Sequence, residues 1–189
     1  MANPYYCEEK LSKLAPDLHR RYSDSLLAII QILTNYKAIF PEYTDHSFLH
    51  TLNVLNYCNL LIDDNTNLNS GEIYVMMMAI ALHDTGMGIS ENDYEEFIQN
   101  PKMINYISNN SSPREKIIRD YHHELSGLFI KKYYTLFEIP KKYVYPVIQA
   151  ARGHRVADLQ DPNEYPTNYK AGAYSICLPY ISALIRLAD

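Results

Sequence analysis

His83 and Asp84 stand at the end of an unbroken apolar run, Val75–Leu82 (VMMMAIAL), and two glycines, Gly86 and Gly88, follow close behind. A wholly apolar run of that length predicts a helix buried on every side. An imidazole and a carboxylate at such an end must find partners, because burying an unpaired polar group is costly and burying an unpaired charge more so. Groups elsewhere in the chain must therefore satisfy this pair.

Other histidines and acids supply candidates. His46 and His50 lie four residues apart, a spacing that shares one helix face. His122 and His123 are adjacent in RDYHHELSG, so on a helix they diverge by about 100°. Leu125, Phe129 and Ile130 do not choose which of the two faces the core. His154 follows Gly153 at an expected helix end, and Asp189 closes the apolar stretch LIRLAD. Imidazoles mixed with carboxylates suit iron, manganese, nickel, cobalt or zinc, with magnesium also admissible. Two such ions activate water and clamp the oxygens of an in-line displacement at phosphorus. Hydrolysis of a phosphomonoester or phosphodiester is the chemistry this set supports best. Arg155, beside His154, is the best candidate for holding a substrate anion, followed by Lys170, with Arg152, Arg114 and Arg119 as further choices. Thr85 and Asn53 are candidates for orienting a ligand.

The elements that must position these groups read as helices. Leu11–Ala15 predicts a short turn or helix. Apolar residues from Leu26 to Ile39 recur at helical spacing, predicting a helix from Ser23 or Ser25 to Phe40 that Pro41 ends. Thr44 or Asp45 is the expected cap of a helix reaching about Asp63, and Ser70 that of the buried helix Glu72–Leu82. Ser90 with Asp93 predicts a capped short helix over Asn92–Ile98, and Pro101–Ser108 another. Asn-rich and Ser-rich Ile89–Ser112 suggests a lid over the cleft. Pro113 suits the first turn of a long helix to about Phe137. A further helix runs from Pro140 to about Gly153, with either a kink at Pro146 or a start nearer Tyr145 expected. Arg155–Gly172 is expected as a loop, and Ala173–Ala188 as a helix bent at Pro179. No alternating strand pattern is present, so the expected fold is a single all-α domain.

Composition narrows the function classes. The 189 residues are 47% hydrophobic, ordinary for one globular domain, and carry a net charge of −5. A chain without a broad basic surface is not expected to grip duplex nucleic acid. Its three widely spaced cysteines fit a reduced compartment. Neither a signal peptide nor a run of about 20 apolar residues is present, so no membrane span is expected and a cytoplasmic location is.

The order His50, His83–Asp84, His123, His154, Asp189 resembles the HD-domain superfamily of metal-dependent phosphohydrolases, with HSFLHTLNVL, ALHDTGMG and LIRLAD as the strongest pieces. The likeness spans Thr44–Asp189. HHELSG and ARGHR are similar to the extra histidines of two-metal branches such as the HD-GYP phosphodiesterases. The local wording resembles still more the HD domains joined to Hsp90-like ATPase modules. The resemblance implies that His50, His83, Asp84 and Asp189 hold one metal. It also implies that Asp84 bridges to a second metal held by His123 and His154, with His122 and His46 as additional candidates. His83 and Asp84 would form the catalytic centre, acting on a small nucleotide-like phosphate ester. Met87 stands where HD-GYP proteins usually carry lysine, and no GYP signature follows His154, which argues against cyclic di-GMP. Two alternatives remain: a regulatory HD module that binds metal and nucleotide, and a di-iron oxygenase. A helix carrying a ligand rarely stops at that ligand, so a longer protein with a downstream module is expected.

Overall fold

A computed structural model describes residues 5–34, 48–62, 66–108 and 112–189. Among these, nine helices and one small hairpin form an all-α domain. The helices are α1 Tyr6–Leu14, α2 Pro16–Thr34, α3 Phe48–Leu61, α4 Ser70–Leu82, α5 Glu91–Phe97, α6 Pro101–Ser108, α7 Arg114–Tyr133, α8 Lys141–Arg152 and α9 Leu178–Ala188. No single helix among the described residues is long and apolar enough to cross a membrane.

Helix α4 is the axis. Every residue from Ser70 to Leu82 is buried, as an unbroken apolar run requires. It is packed by α1, α2, α3, α8, α9 and the second strand of the hairpin. Its cap is Asn69, not the expected Ser70. The Asn69 side chain accepts from the Glu72 N–H, and the Glu72 carboxylate accepts from the Asn69 N–H, closing a reciprocal capping box. The same Glu72 carboxylate accepts from the Cys177 N–H at 3.0 Å, and the Asn69 amide donates to Ser175 O at 2.8 Å. The start of α9 is thereby tied to the start of α4. Eleven residues of α9 and thirteen of α4, at about 1.5 Å per residue, bring the two C-terminal ends to the same level. Those ends carry Asp189 and His83–Asp84.

Several boundaries differ from the expected ones. Helix α1 starts at Tyr6, and α2 starts at Pro16 rather than near Ser23, because proline fits a first turn whose N–H has no helical acceptor. Tyr22, Ser25, Ile29 and Leu33 form its buried stripe. The expected caps Thr44 and Asp45, and the stop at Pro41, lie outside the described residues. Ser90 caps α5 as expected, accepting from the Asp93 N–H at 3.1 Å. Helix α8 continues through Pro146. Part of the expected loop is a two-stranded hairpin. β1 Tyr169–Ala171 pairs antiparallel with β2 Tyr174–Ile176, with Gly172 at φ +67° in the turn. Strands of three residues are too short to show alternation. The pairing of Tyr174–Ile176 also delays the last helix to Leu178, which puts Pro179 in its first turn instead of at a bend. Ile89–Ser112 carries α5 and α6.

Candidate metal centre

The turn after α4 is pinned from several sides. Thr85 Oγ1 donates to Leu82 O at 2.7 Å, so it caps the helix end instead of facing a ligand. Ser126 Oγ on α7 donates to His83 O at 2.5 Å and accepts from the Gly86 N–H at 2.8 Å. These bonds take up carbonyls that a helix end leaves unpaired. A Cβ at Gly86 would overlap the His122 carbonyl oxygen and lie 2.7 Å from Ser126 N, so only glycine lets the 3-10 turn Thr85–Gly88 seat against α7. On the opposite side, a Cβ at Gly153 would overlap Ser182 of α9. Arg186 donates to Gly153 O at 2.9 Å and to Ala157 O at 2.8 Å, which holds the His154 turn against α9.

Two side-chain groups result, each able to hold a metal ion, and Asp84 joins them. In the first, Asp189 Oδ1 lies 3.0 Å from His50 Nε2 and 3.4 Å from His83 Nε2. Asp84 Oδ2 lies 3.3 Å from His83 Nε2 and 3.6 Å from His50 Nε2. The second comprises Asp84, His122 and His154. There Asp84 Oδ1 lies 3.4 Å from His122 Nε2, which is 3.0 Å from His154 Nε2. The two oxygens of Asp84 thus face different groups.

The tautomers show what these atoms lack. Each of His83, His122 and His154 has its Nδ1 against the carbonyl three residues earlier: Ile80 at 2.7 Å, Arg119 at 2.8 Å and Ala151 at 2.5 Å. A ring nitrogen beside a carbonyl carries a proton, so in each ring Nε2 is the atom turned to the site and able to take a proton or a metal ion. The Nε2 of His83 is fully buried and has no hydrogen-bond partner. Those of His122 and His154 lie 3.0 Å apart. Lone pairs converging on carboxylate oxygens repel unless a cation sits among them. This donor set fits a transition metal, with the carbonyls fixing the rings as metal-bound histidines require.

The electrostatics differ between the groups. Burial opposes charge on His83, but Asp84 and Asp189 outweigh it and raise its pKa well above the ordinary value. Burial also opposes ionisation of Asp189, yet the bond from His50 and the nearby His83 ring hold its carboxyl well below the usual range. Burial dominates at His122 and His154 and lowers both, His154 further because His83 and His122 lie nearby.

The sequence profile of the HD-CE family matches residues 40–189. The chain belongs to the HD-CE family. No curated protein and no solved structure matches it significantly.

Within this HD-CE domain, the structure brings together His50, His83, Asp84, His154 and Asp189. At the sixth expected position it places His122 where His123 was expected. Both rings are buried, but only His122 reaches Asp84 and His154. The His123 ring stacks on Tyr121 at 5.8 Å and stays 6.4 Å from the His154 ring, and burial pushes its pKa down to about 4. His46 lies outside the described residues. Arg155 is exposed at the rim, its guanidinium 3.4 Å from Arg119 O and 3.5 Å from His122 Nδ1. Lys170 is exposed on β1, and none of the contacts that build the centre involves it. Arg152 is buried and committed to Glu124 through two bonds of 2.9 and 2.5 Å. Arg114 pairs with Glu91 and covers the Tyr94 ring, while Asn53 is exposed on α3. Sequence reasoning missed Ser126, whose hydroxyl is the clamp; a serine one turn after His122 was the available signal.

Proposed function

We propose that this HD-CE domain is a metal-dependent phosphohydrolase acting on a small nucleotide-like phosphate ester. The observation that carries the reading is the division of Asp84, with one oxygen toward His50, His83 and Asp189 and the other toward His122 and His154. Paired ions held there would supply a water made nucleophilic at neutral pH and positive charge on the phosphoryl oxygens. The residues of the chain do the rest. Asp84 sets the separation of the two groups, and the carbonyls of Ile80, Arg119 and Ala151 hold three rings in one tautomer. Asp189 stays ionised and keeps the first group anionic. Arg155, exposed beside His122, orients a phosphate through its two-pronged donor face.

The test is metal content together with phosphate release. Purified protein should retain one to two transition-metal ions per chain and release phosphate from a panel of nucleotides and cyclic nucleotides, with activity lost on chelation and restored by metal. Metal retained without turnover would replace the reading with a regulatory module. An oxygen-dependent visible absorption change would replace it with di-iron chemistry.

A further inference from the structure

Helices α7 and α8 have a second face, turned away from the metal centre. His122 and Ser126 meet the 3-10 turn, whereas Gly127 packs against Arg152 and Ile148. On that other side a cleft of about 610 Å³ opens between the end of α7 and the start of α8. Its walls are Tyr134, Val144, Tyr145 and Ile148. Sites for small organic ligands typically have about 300–1,000 Å³ and mainly apolar walls with few polar groups. The floor is electrically settled. Arg152 is matched by Glu124, and Glu164 pairs with Arg152 at 3.1 Å and Lys102 at 2.7 Å.

The rim is not settled. Lys131 from α7 and Lys141 from α8 both line the cleft, and both are exposed. No ion pair among the described residues involves either, in a chain whose net charge is −5. The first turn of α8 adds positive potential in the same place, having no acidic side chain and no side-chain cap. An inorganic anion would leave the tyrosine and aliphatic walls uncovered, and a neutral apolar molecule would leave both ammonium groups unmatched.

From this cleft we infer a second binding site, for a small organic anion: an apolar, ring-sized body on the Tyr134, Val144, Tyr145 and Ile148 walls, and a carboxylate or phosphate between Lys131 and Lys141. The inference does not rest on the phosphohydrolase reading, because the centre and the cleft use opposite faces of the helix pair.

Anilinonaphthalene sulfonate, an aromatic anion whose fluorescence rises in apolar surroundings, is the probe, titrated into the folded, metal-loaded protein. Saturable one-to-one binding is expected, weakened about tenfold in Lys131→Gln/Lys141→Gln, where two exposed charge contacts are lost. Val144→Asp, which sets a carboxylate on the apolar wall, should abolish it; if that variant fails to fold, the surface double variant decides alone. Phenylacetate should displace the probe far better than phenylethanol or inorganic phosphate. Binding unchanged in the double variant, absence of a saturable site, or displacement by phenylethanol or inorganic phosphate equal to that by phenylacetate would each overturn the inference.

Discussion

The two halves of the candidate metal centre share Asp84 and little else. The first half gathers helix ends: His50 from the start of α3, His83 from the end of α4 and Asp189 from the end of α9. The second takes His122 from the middle of α7 and His154 from the turn after α8. The side chains of His50 and Asp189 are 22% and 26% exposed, against 4% for His122, so the first half opens to solvent and the second is closed. Carboxylates surround His83 and favour its cationic form, while burial keeps His122 and His154 neutral. The first half attracts any cation, a proton included. The second offers neutral, buried ring nitrogens of the kind a metal ion takes.

The largest effect falls on the shared residue. Asp84→Asn keeps the shape and removes the charge, and both ions should be lost together, reducing bound metal to background by elemental analysis. Retention of one ion would show that the halves do not depend on a common bridge. His122→Ala separates them: one ion should remain and the other should weaken by more than about 100-fold, since loss of a partner that merely orients a ligand costs about 10–100-fold. His123→Ala should leave both metal affinities unchanged. If His123→Ala strips the metal and His122→Ala does not, the assignment of the second half is reversed.

Acidity should also tell the halves apart. In metal-free protein the raised pKa of His83 keeps a proton on it at and above pH 6.5, and a metal must displace that proton. His122 and His154, lowered by burial, have already lost theirs at pH 6.5. On descending from neutral pH the first half should therefore lose metal before the second, and loading it should release more protons. Calorimetric titration in buffers of different ionisation enthalpy reads this directly. Equal proton release from both halves would contradict the asymmetry.

The same division governs what the sequence could disclose. Residues at helix ends are legible, because an end is marked by composition. The apolar run before His83 and the glycine before His154 both announce a side chain projected past a terminus. His122 in mid-helix was not legible, because His122 and His123 are both buried and both precede a small residue by one turn, Ser126 and Gly127. Only the tertiary contact of Gly86 with His122 and Ser126 decides between them. The all-α architecture followed from apolar residues at helical spacing, as on α2, and from the absence of strand alternation. The hairpin did not, because its strands derive from pairing and from contact with α4 and α8, not from any pattern of their own.

The smallest effect expected tests how the halves are held in register. Ser126→Ala removes one hydroxyl but unpairs two groups, the Gly86 N–H and the His83 carbonyl, in a space too tight for an added Cβ at Gly86. Leaving such groups unsatisfied costs about 1–3 kcal/mol, or about 2–12 °C in melting temperature for a chain of this size. The clamp joins the turn that carries Asp84 to the helix that carries His122, and no residue of the first half lies on α7. Metal affinity of the second half should therefore fall more than that of the first when the variant is titrated below its melting temperature. An equal fall in both would mean that Ser126 stabilises the fold without setting the spacing across Asp84.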